Sequence, residues 1–392
     1  MTEAMVARPS PAGAARVEQA PERTEGAGWR DSVRAGLLHF GIYRVVTLVV
    51  VVVGGLGSQF AHLLAHDPAV VGGLFHHYDA VWFTDIADDG YTSEGLTAFP
   101  PGYPLLIRGV ESVLRVNAMV AAVLVSSLCL AGALVLLHRL VAERWGRAVA
   151  LTTLFLLLVW PGSVFLTLAY ADAPFLLLVV GGFLAAQHRR WWLAGLLIGL
   201  SCTMKVYGAL FTLAIAWEYM ESRGWSWRSI RADALLIFVP SAALIGGWML
   251  YLQHRFGQPF LFLTIQKQWG KRLSFPWGGI EQGILNVSTS PERLVMSLDL
   301  LGIALIGIAA PIVFFKVRRS WGVMLALSFL SFTTTHDITS VGRHLTACFP
   351  LFVVAAIYAQ RFPRLTERLI APLGALASGT LLIAFAQDHW AG

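Results

Sequence analysis

FHHYDAVWFTDIADDGYTSEGLTAFPPGYPLLIR, residues 75–108, is the stretch on which the reading of this chain turns. It is polar, acidic and aromatic, and long apolar segments flank it on both sides. Four aspartates, Asp79, Asp85, Asp88 and Asp89, fall within eleven positions of a chain otherwise poor in charge. Carboxylates gathered beside a bilayer are costly and mark function by default. The stretch therefore reads as an active-site loop.

Its surroundings point to a membrane. Of 392 residues, 56% are hydrophobic and 13% charged, with a mean hydropathy of +0.65; soluble domains carry about 25% charged residues. The expected fold class is an all-α polytopic membrane protein. Residues 1–34 are rich in Ala, Pro, Gly, Arg and Glu without apolar periodicity, which predicts a disordered tail. A transmembrane domain is expected over 35–392. Apolar runs lie at 37–56, 118–138, 148–166, 173–187, 192–204, 207–220, 234–252, 296–315, 321–333, 345–359 and 369–386. With about 20 residues needed per crossing, they predict about eleven transmembrane helices. The 192–220 region reads as two short helices or as one broken one.

The basic residues orient these spans. Arg23, Arg30 and Arg34 precede the first run, as in an uncleaved signal-anchor with a cytoplasmic tail. The loops then predicted inside carry Arg139, Arg144 and Arg147; Arg189 and Arg190; Arg223, Arg228 and Arg231; Lys316, Arg318 and Arg319; and Arg361, Arg364 and Arg368. This pattern obeys the positive-inside rule. It places 59–117, 253–295 and 334–344 together on the extracytoplasmic face. Net charge is +6, but in short clusters between spans, which excludes a nucleic-acid partner. Cys129, Cys202 and Cys348 sit in apolar segments without pairing motifs and read as inert thiols. No internal repeat of the kind common in transporters is evident.

Within the quoted stretch, residues 78–89 predict a short interfacial helix ended by Gly90. At helical spacing Tyr78, Trp82, Phe83 and Ile86 form an apolar arc containing Asp79. Asp85, Asp88 and Asp89 fall at its edge or beyond and read as a solvated face. Two readings of Asp79 stand side by side. It caps the helix, or it faces a partly dehydrated cavity, where a carboxylate binds protons more tightly and suits a general base. The prolines of AFPPGYPLLIR, residues 98–108, predict a rigid re-entry turn; Arg108 either binds a phosphate or snorkels to the interface.

Elsewhere, Asp172 precedes Pro174 in the manner of a helix cap. Lys205 lies between two apolar runs and calls for a phosphate or a carboxylate as partner. The 253–295 segment brings Gln266, Lys267, Trp269, Lys271 and Arg272, cations on the face where the positive-inside rule expects few. They suggest an anionic ligand, and the Trp and amides suit a sugar. His336, Asp337, Arg343 and His344 close the set; the spacing of His336, Asp337 and His344 fits no standard zinc pattern, so no metal or cofactor is expected.

Together these residues resemble the PIG-V type of mannosyltransferase, the second mannosyltransferase of GPI-anchor synthesis, with its bacterial relatives in the GT-C class. The resemblance rests on Tyr78-Asp79, Trp82-Phe83, Ile86-Ala87, Gly90-Tyr91, Glu94, Ala98-Phe99-Pro100 and Tyr103-Pro104-Leu105. It continues at Pro161-Gly162-Ser163, Tyr170-Ala171-Asp172, Thr203 to Gly208, His336, Gly342-Arg343 and Pro350. Tyr78 stands for the usual Trp, Pro101 for an aromatic residue and Lys205 for an expected arginine.

The resemblance implies a GT-C-type bundle whose first outer loop contains short amphipathic helices. It implies a polyprenyl-phosphate sugar, polyprenyl phosphomannose, as donor, and transfer with inversion to an acceptor hydroxyl. Asp79 would be the general base. Arg343, then Lys205, Lys267 and Arg108, would hold the leaving phosphate. His77, Tyr78, Trp82, Glu94, Asp172, Gln266, Trp269 and His336 are the implied substrate contacts. Heavy use of Ala, Gly, Val, Leu and Arg suggests a GC-rich, actinobacterial-like genome. The membrane is then the plasma membrane, and the acceptor a glycolipid, a lipoglycan or a protein. The competing class is a lipid-linked substrate carrier or flippase, which explains the cations but not a membrane-facing aspartate on a loop helix.

Overall fold

The computed structural model describes residues 28–56, 75–290 and 292–392. Among them the secondary structure is helical, apart from an isolated bridge between Leu273 and Thr335. The predicted tail lies outside the described residues as far as residue 27, and its last six residues are not tail. Helix α1 (Trp29–Leu56) already begins at Trp29. Residues 29–34 are held because Ser32 is buried and hydrogen-bonded to His138 (3.1 Å), while the Arg139 guanidinium lies 5.3 Å from the Trp29 ring. Residues 59–74 of the predicted first outer loop lie outside the described residues.

Every apolar run becomes helix. After α2 (Asp79–Asp89) and α3 (Gly102–Leu114) comes α4 (Ala118–Val159), which carries two runs. It turns at Gly146, where φ is +81°, a conformation that glycine adopts at little cost. The carbonyl of Ala122, near one end of α4, accepts from Tyr103; Trp160, just past the other end, donates to Gly342. The remaining helices are α5 (Asp172–Gln187), α6 (Trp191–Met204), α7 (Ala209–Ser222), α8 (Leu235–Phe256), α9 (Gly278–Thr289), α10 (Arg293–Lys316), α11 (Arg319–Thr333), α12 (Phe349–Ala359) and α13 (Ala371–Ala386). The 192–220 region is thus two helices, parted at Lys205 by extended backbone (φ −148°, ψ 121°).

Five helices among the described residues are long and apolar enough to cross a membrane alone. A sixth span arises if Val341–Ala347 and α12, bent by 77°, are taken as one. That is fewer than eleven for a physical reason. Helices α5, α6, α7 and α11 have 16, 14, 14 and 15 residues. They are shorter than the ~20 residues a square crossing needs, and several stop where polar residues interrupt the run.

Close packing sets these breaks in place. A Cβ at Gly195 or Gly199 of α6 would collide with backbone of α8 at Leu236 and Pro240, the close approach that small residues allow between membrane helices. At the far end of α6, Gly102 of α3 leaves no room beside Thr203 and Met204. The re-entry turn predicted for the prolines is therefore real: Pro101 precedes Gly102, the first residue of α3, and Gly102 rests against Thr203 and Met204, just before Lys205.

Candidate active site

Helix α2 forms because Ala80, Phe83, Ile86 and Ala87 recur on one face and are buried, while Asp85, Asp88 and Asp89 are exposed. Gly90, at φ +75°, stops it, its N–H donating to the Ile86 carbonyl. The solvated face and the stop are as expected, but the apolar arc is narrower, since Trp82 is 38% exposed. Chain entry is strained: Tyr78 has φ +55°, rare for a bulky residue. Its hydroxyl donates to the Asp388 carbonyl (2.8 Å), and its ring meets Trp390 edge-on at 5.0 Å. Burial, then Asp388 and Glu292, raise the Tyr78 phenol above its ordinary pKa, so it stays protonated as that donor. His77 Nδ1 lies 3.1 Å from Asp388 Oδ1.

Asp79 is the first residue of α2, and no side chain caps that end. The capping reading is therefore corrected. Its surroundings are not simply apolar either, because Arg343 Nη1 lies 2.7 Å from Asp79 Oδ2. Arg343 is also close to the faces of Tyr170 and Phe165, at 5.1 and 5.6 Å, where a guanidinium is favoured by the ring quadrupole. Its buried Nε has no hydrogen-bond acceptor among the described residues.

Three features fix the backbone that carries Arg343. Asp299 of α10, buried, accepts from the Gly342 N–H at 2.6 Å and the Ser340 N–H at 3.2 Å. The Trp160 indole donates to the Gly342 carbonyl at 2.6 Å. Gly162 packs so tightly on Gly342 and Arg343 that a Cβ there would collide with their backbone.

A second group adjoins the first. Lys205 Nζ lies 2.7 Å from Asp172 Oδ1 and donates to His344 Nδ1 at 2.8 Å. That bond requires the unprotonated Nδ1 on His344. Asp172 is buried and is the first residue of α5, but it does not cap the helix. Its carboxylate instead serves Lys205, the carboxylate partner that an intramembrane lysine calls for. Tyr170 packs on the first group, its hydroxyl 3.5 Å from the His77 carbonyl and its ring against Arg343.

The other predicted residues stand apart from these pairs. Arg108 and Glu94 are exposed, on α3 and on the loop before it; Lys267 is exposed on the Ile265–Trp269 turn. Gln266 donates to the Ala98 carbonyl at 3.2 Å and so braces the loop. The Trp269 side chain lies outside the described residues. His336 is exposed, and the histidine in the cluster is His344, eight residues further along the chain. Lys271 is spent on the Asp337 and Thr339 carbonyls at 3.1 and 2.7 Å; burial lowers its pKa, with Asp337 pulling the other way.

A family profile described as Mannosyltransferase (PIG-V) matches residues 65–280, a little over half of the chain. The chain belongs to that family. The PIG-V match contains Asp79, Asp172 and Lys205; Arg343 and His344 lie beyond it and join through the fold. The chain is similar to GPI alpha-1,6-mannosyltransferase 2 of Rattus norvegicus, 34% identical over 152 residues, 36% of this chain and 30% of that protein. It is 32% identical over 150 residues to the Mus musculus protein of the same name, again 30% of its length. The matched part thus spans under a third of these relatives. The fold is similar to the crystal structure of ArnT from Cupriavidus metallidurans bound to undecaprenyl phosphate: TM-score 0.53, 15% identity, covering 88% of this chain and 68% of that one. That likeness is to the GT-C bundle alone, the fold class expected from the sequence.

Proposed function

We propose that this PIG-V family member transfers a hexose, mannose by family, from a polyprenyl-phosphate sugar to an acceptor hydroxyl on the extracytoplasmic side of the plasma membrane, inverting the anomeric carbon. The observation that carries the reading is the Asp79–Arg343 pair at 2.7 Å, beside Asp172, Lys205 and His344. One compact site holds a carboxylate fit to take a proton and cations fit to take a phosphate.

In the proposed step the acceptor oxygen forms a bond to the anomeric carbon as the bond from that carbon to the phosphate oxygen breaks. The hydroxyl proton passes to Asp79. The leaving polyprenyl phosphate gains charge, which Arg343 and Lys205 neutralise in a site partly closed to water. The Nε of Arg343 supplies a donor not yet used. An arriving phosphate competes with Asp79 for the guanidinium and so frees the carboxylate to accept the proton. The reaction needs no cofactor, and a glycolipid, lipoglycan or protein serves as acceptor.

The test follows label from radiolabelled polyprenyl phosphomannose in membranes carrying wild-type chain or Asp79→Asn at matched levels. Transfer to a lipid or protein by wild type alone supports the proposal and reveals the acceptor. Faster crossing of labelled donor without transfer in either would overturn it in favour of a carrier.

A further inference from the structure

At the opposite end of the bundle from Asp79 lies a cavity of about 450 Å³. It opens where α5, α7 and α10 end and α6 and α11 begin. Five cations line it, Arg144, Arg189, Lys316, Arg318 and Arg319, against two carboxylates, Glu218 and Glu221. Both carboxylates are committed: Glu218 pairs with Arg318, and Glu221 lies 3.5 Å from Arg319. Arg144, Arg189 and Lys316 are left with no carboxylate within ion-pair distance among the described residues.

The positive-inside rule accounts for basic residues at this end, but not for their convergence on a concave surface with a satisfied polar floor. That floor is built from Glu218, which also accepts from Ser320 at 2.8 Å, and from Gln187, which accepts from Arg318 at 2.9 Å. Helices α6 and α11 begin here without side-chain caps, so their partial positive ends add to the field. Beside Lys316, Phe315 is 76% exposed, an apolar surface where the body of an amphiphile would lie. Three unmatched cations, two helix N-termini and an apolar lip suit a ligand that is anionic at one end and apolar at the other.

We infer that this cavity binds the phosphate head group of an anionic membrane lipid, at a site separate from the sugar-transfer centre. Basic pockets between membrane helices take such head groups. No residue of the Asp79 cluster takes part, so the inference stands whether or not the proposed transfer is correct.

The test uses the full chain in detergent, with phosphatidylglycerol or phosphatidylcholine of the same acyl chains added in known amount and retention read by native mass spectrometry. Wild type should retain phosphatidylglycerol preferentially, and Arg144→Gln with Lys316→Gln should weaken that retention roughly 30-fold, two cations being lost at the membrane surface. Both side chains are exposed, and Lys316→Gln alone gives a smaller drop if the double variant purifies poorly. Equal retention of the two lipids by wild type, or no drop in the variants, would overturn the inference. Inorganic phosphate displacing the lipid and matching its thermal stabilisation would also overturn it, by making this a site for a soluble anion.

Discussion

Two buried charge clusters, one toward each end of the bundle, hold their charges in opposite ways. At the end away from Asp79, Glu218 is saturated, one oxygen on Arg318 and the other on Ser320; Arg318 goes on to Gln187, and Gln187 donates to Glu143 at 2.7 Å. In the cluster around Asp79, Arg343 keeps a buried Nε without an acceptor among the described residues, and Lys205 divides itself between Asp172 and His344. Buried polar groups in folded proteins are nearly all satisfied, and an exception needs a reason. A closed network ties helices together. An open one keeps donors for a ligand.

The largest expected effect tests that contrast directly. Asp79→Asn should cut the transfer rate by about 10³-fold, within the range for loss of a general base, while the melting temperature moves little. Glu218→Ala should do the reverse. Leaving Arg318 buried without its carboxylate should cost about 3 kcal/mol of stability, seen as a lower melting temperature, with transfer per folded molecule retained. Should Asp79→Asn melt early, or folded Glu218→Ala be inactive, the division between the two ends fails.

Next in size comes Asp299, which reaches the site only through the backbone. Asp299→Ala leaves the Gly342 and Ser340 N–H groups without their acceptor, and an unsatisfied buried donor costs about 1–3 kcal/mol. The segment bearing Arg343 should loosen, and kcat/KM should fall about tenfold, chiefly through a higher KM for the lipid-phosphate donor. Asp299→Asn keeps one acceptor oxygen and should recover most of the loss. Equal losses in the two variants would mean that charge, not positioning, is what Asp299 supplies.

What was legible in the sequence was local. Spacing alone predicted α2, its stop at Gly90 and the solvated Asp85, Asp88 and Asp89, because a helix of eleven residues is governed by its own periodicity. The break at Lys205 was legible as a lysine between apolar runs. Partnerships were not. Asp79 reads as a cap or a base until the fold brings Arg343 beside it from the far end of the chain. The sequence points to His336 rather than His344, since nothing in the THDITSVGRHL stretch says which histidine the bend before α12 turns inward. Asp388 and Trp390, which brace Tyr78, follow the last apolar run and look like an ordinary tail. Asp299 did carry a signal: a lone carboxylate within a span is functional or structural by default, and its neighbours Leu298, Leu300 and Leu301 hid it.

The smallest effect bears on Lys205, which stands where the family resemblance expects an arginine. Its ammonium fills a slot between Asp172 and His344, with only 11% of the side chain exposed. A guanidinium keeps the charge and can still donate to a carboxylate and a phosphate, but it is planar and larger than the ammonium. Lys205→Arg should therefore lower kcat/KM by only about threefold, on the order of the 0.7 kcal/mol that a slightly strained ion pair would lose. A loss beyond tenfold would show a slot fitted to an ammonium and to His344 as its second partner. A gain would mean that this chain carries the weaker of two phosphate clamps, and that Arg343 holds most of the leaving group. Either departure tells how the cluster around Asp79 divides its donors between protein and ligand, a question that the Glu218 carboxylate, with both oxygens already committed to Arg318 and Ser320, does not raise.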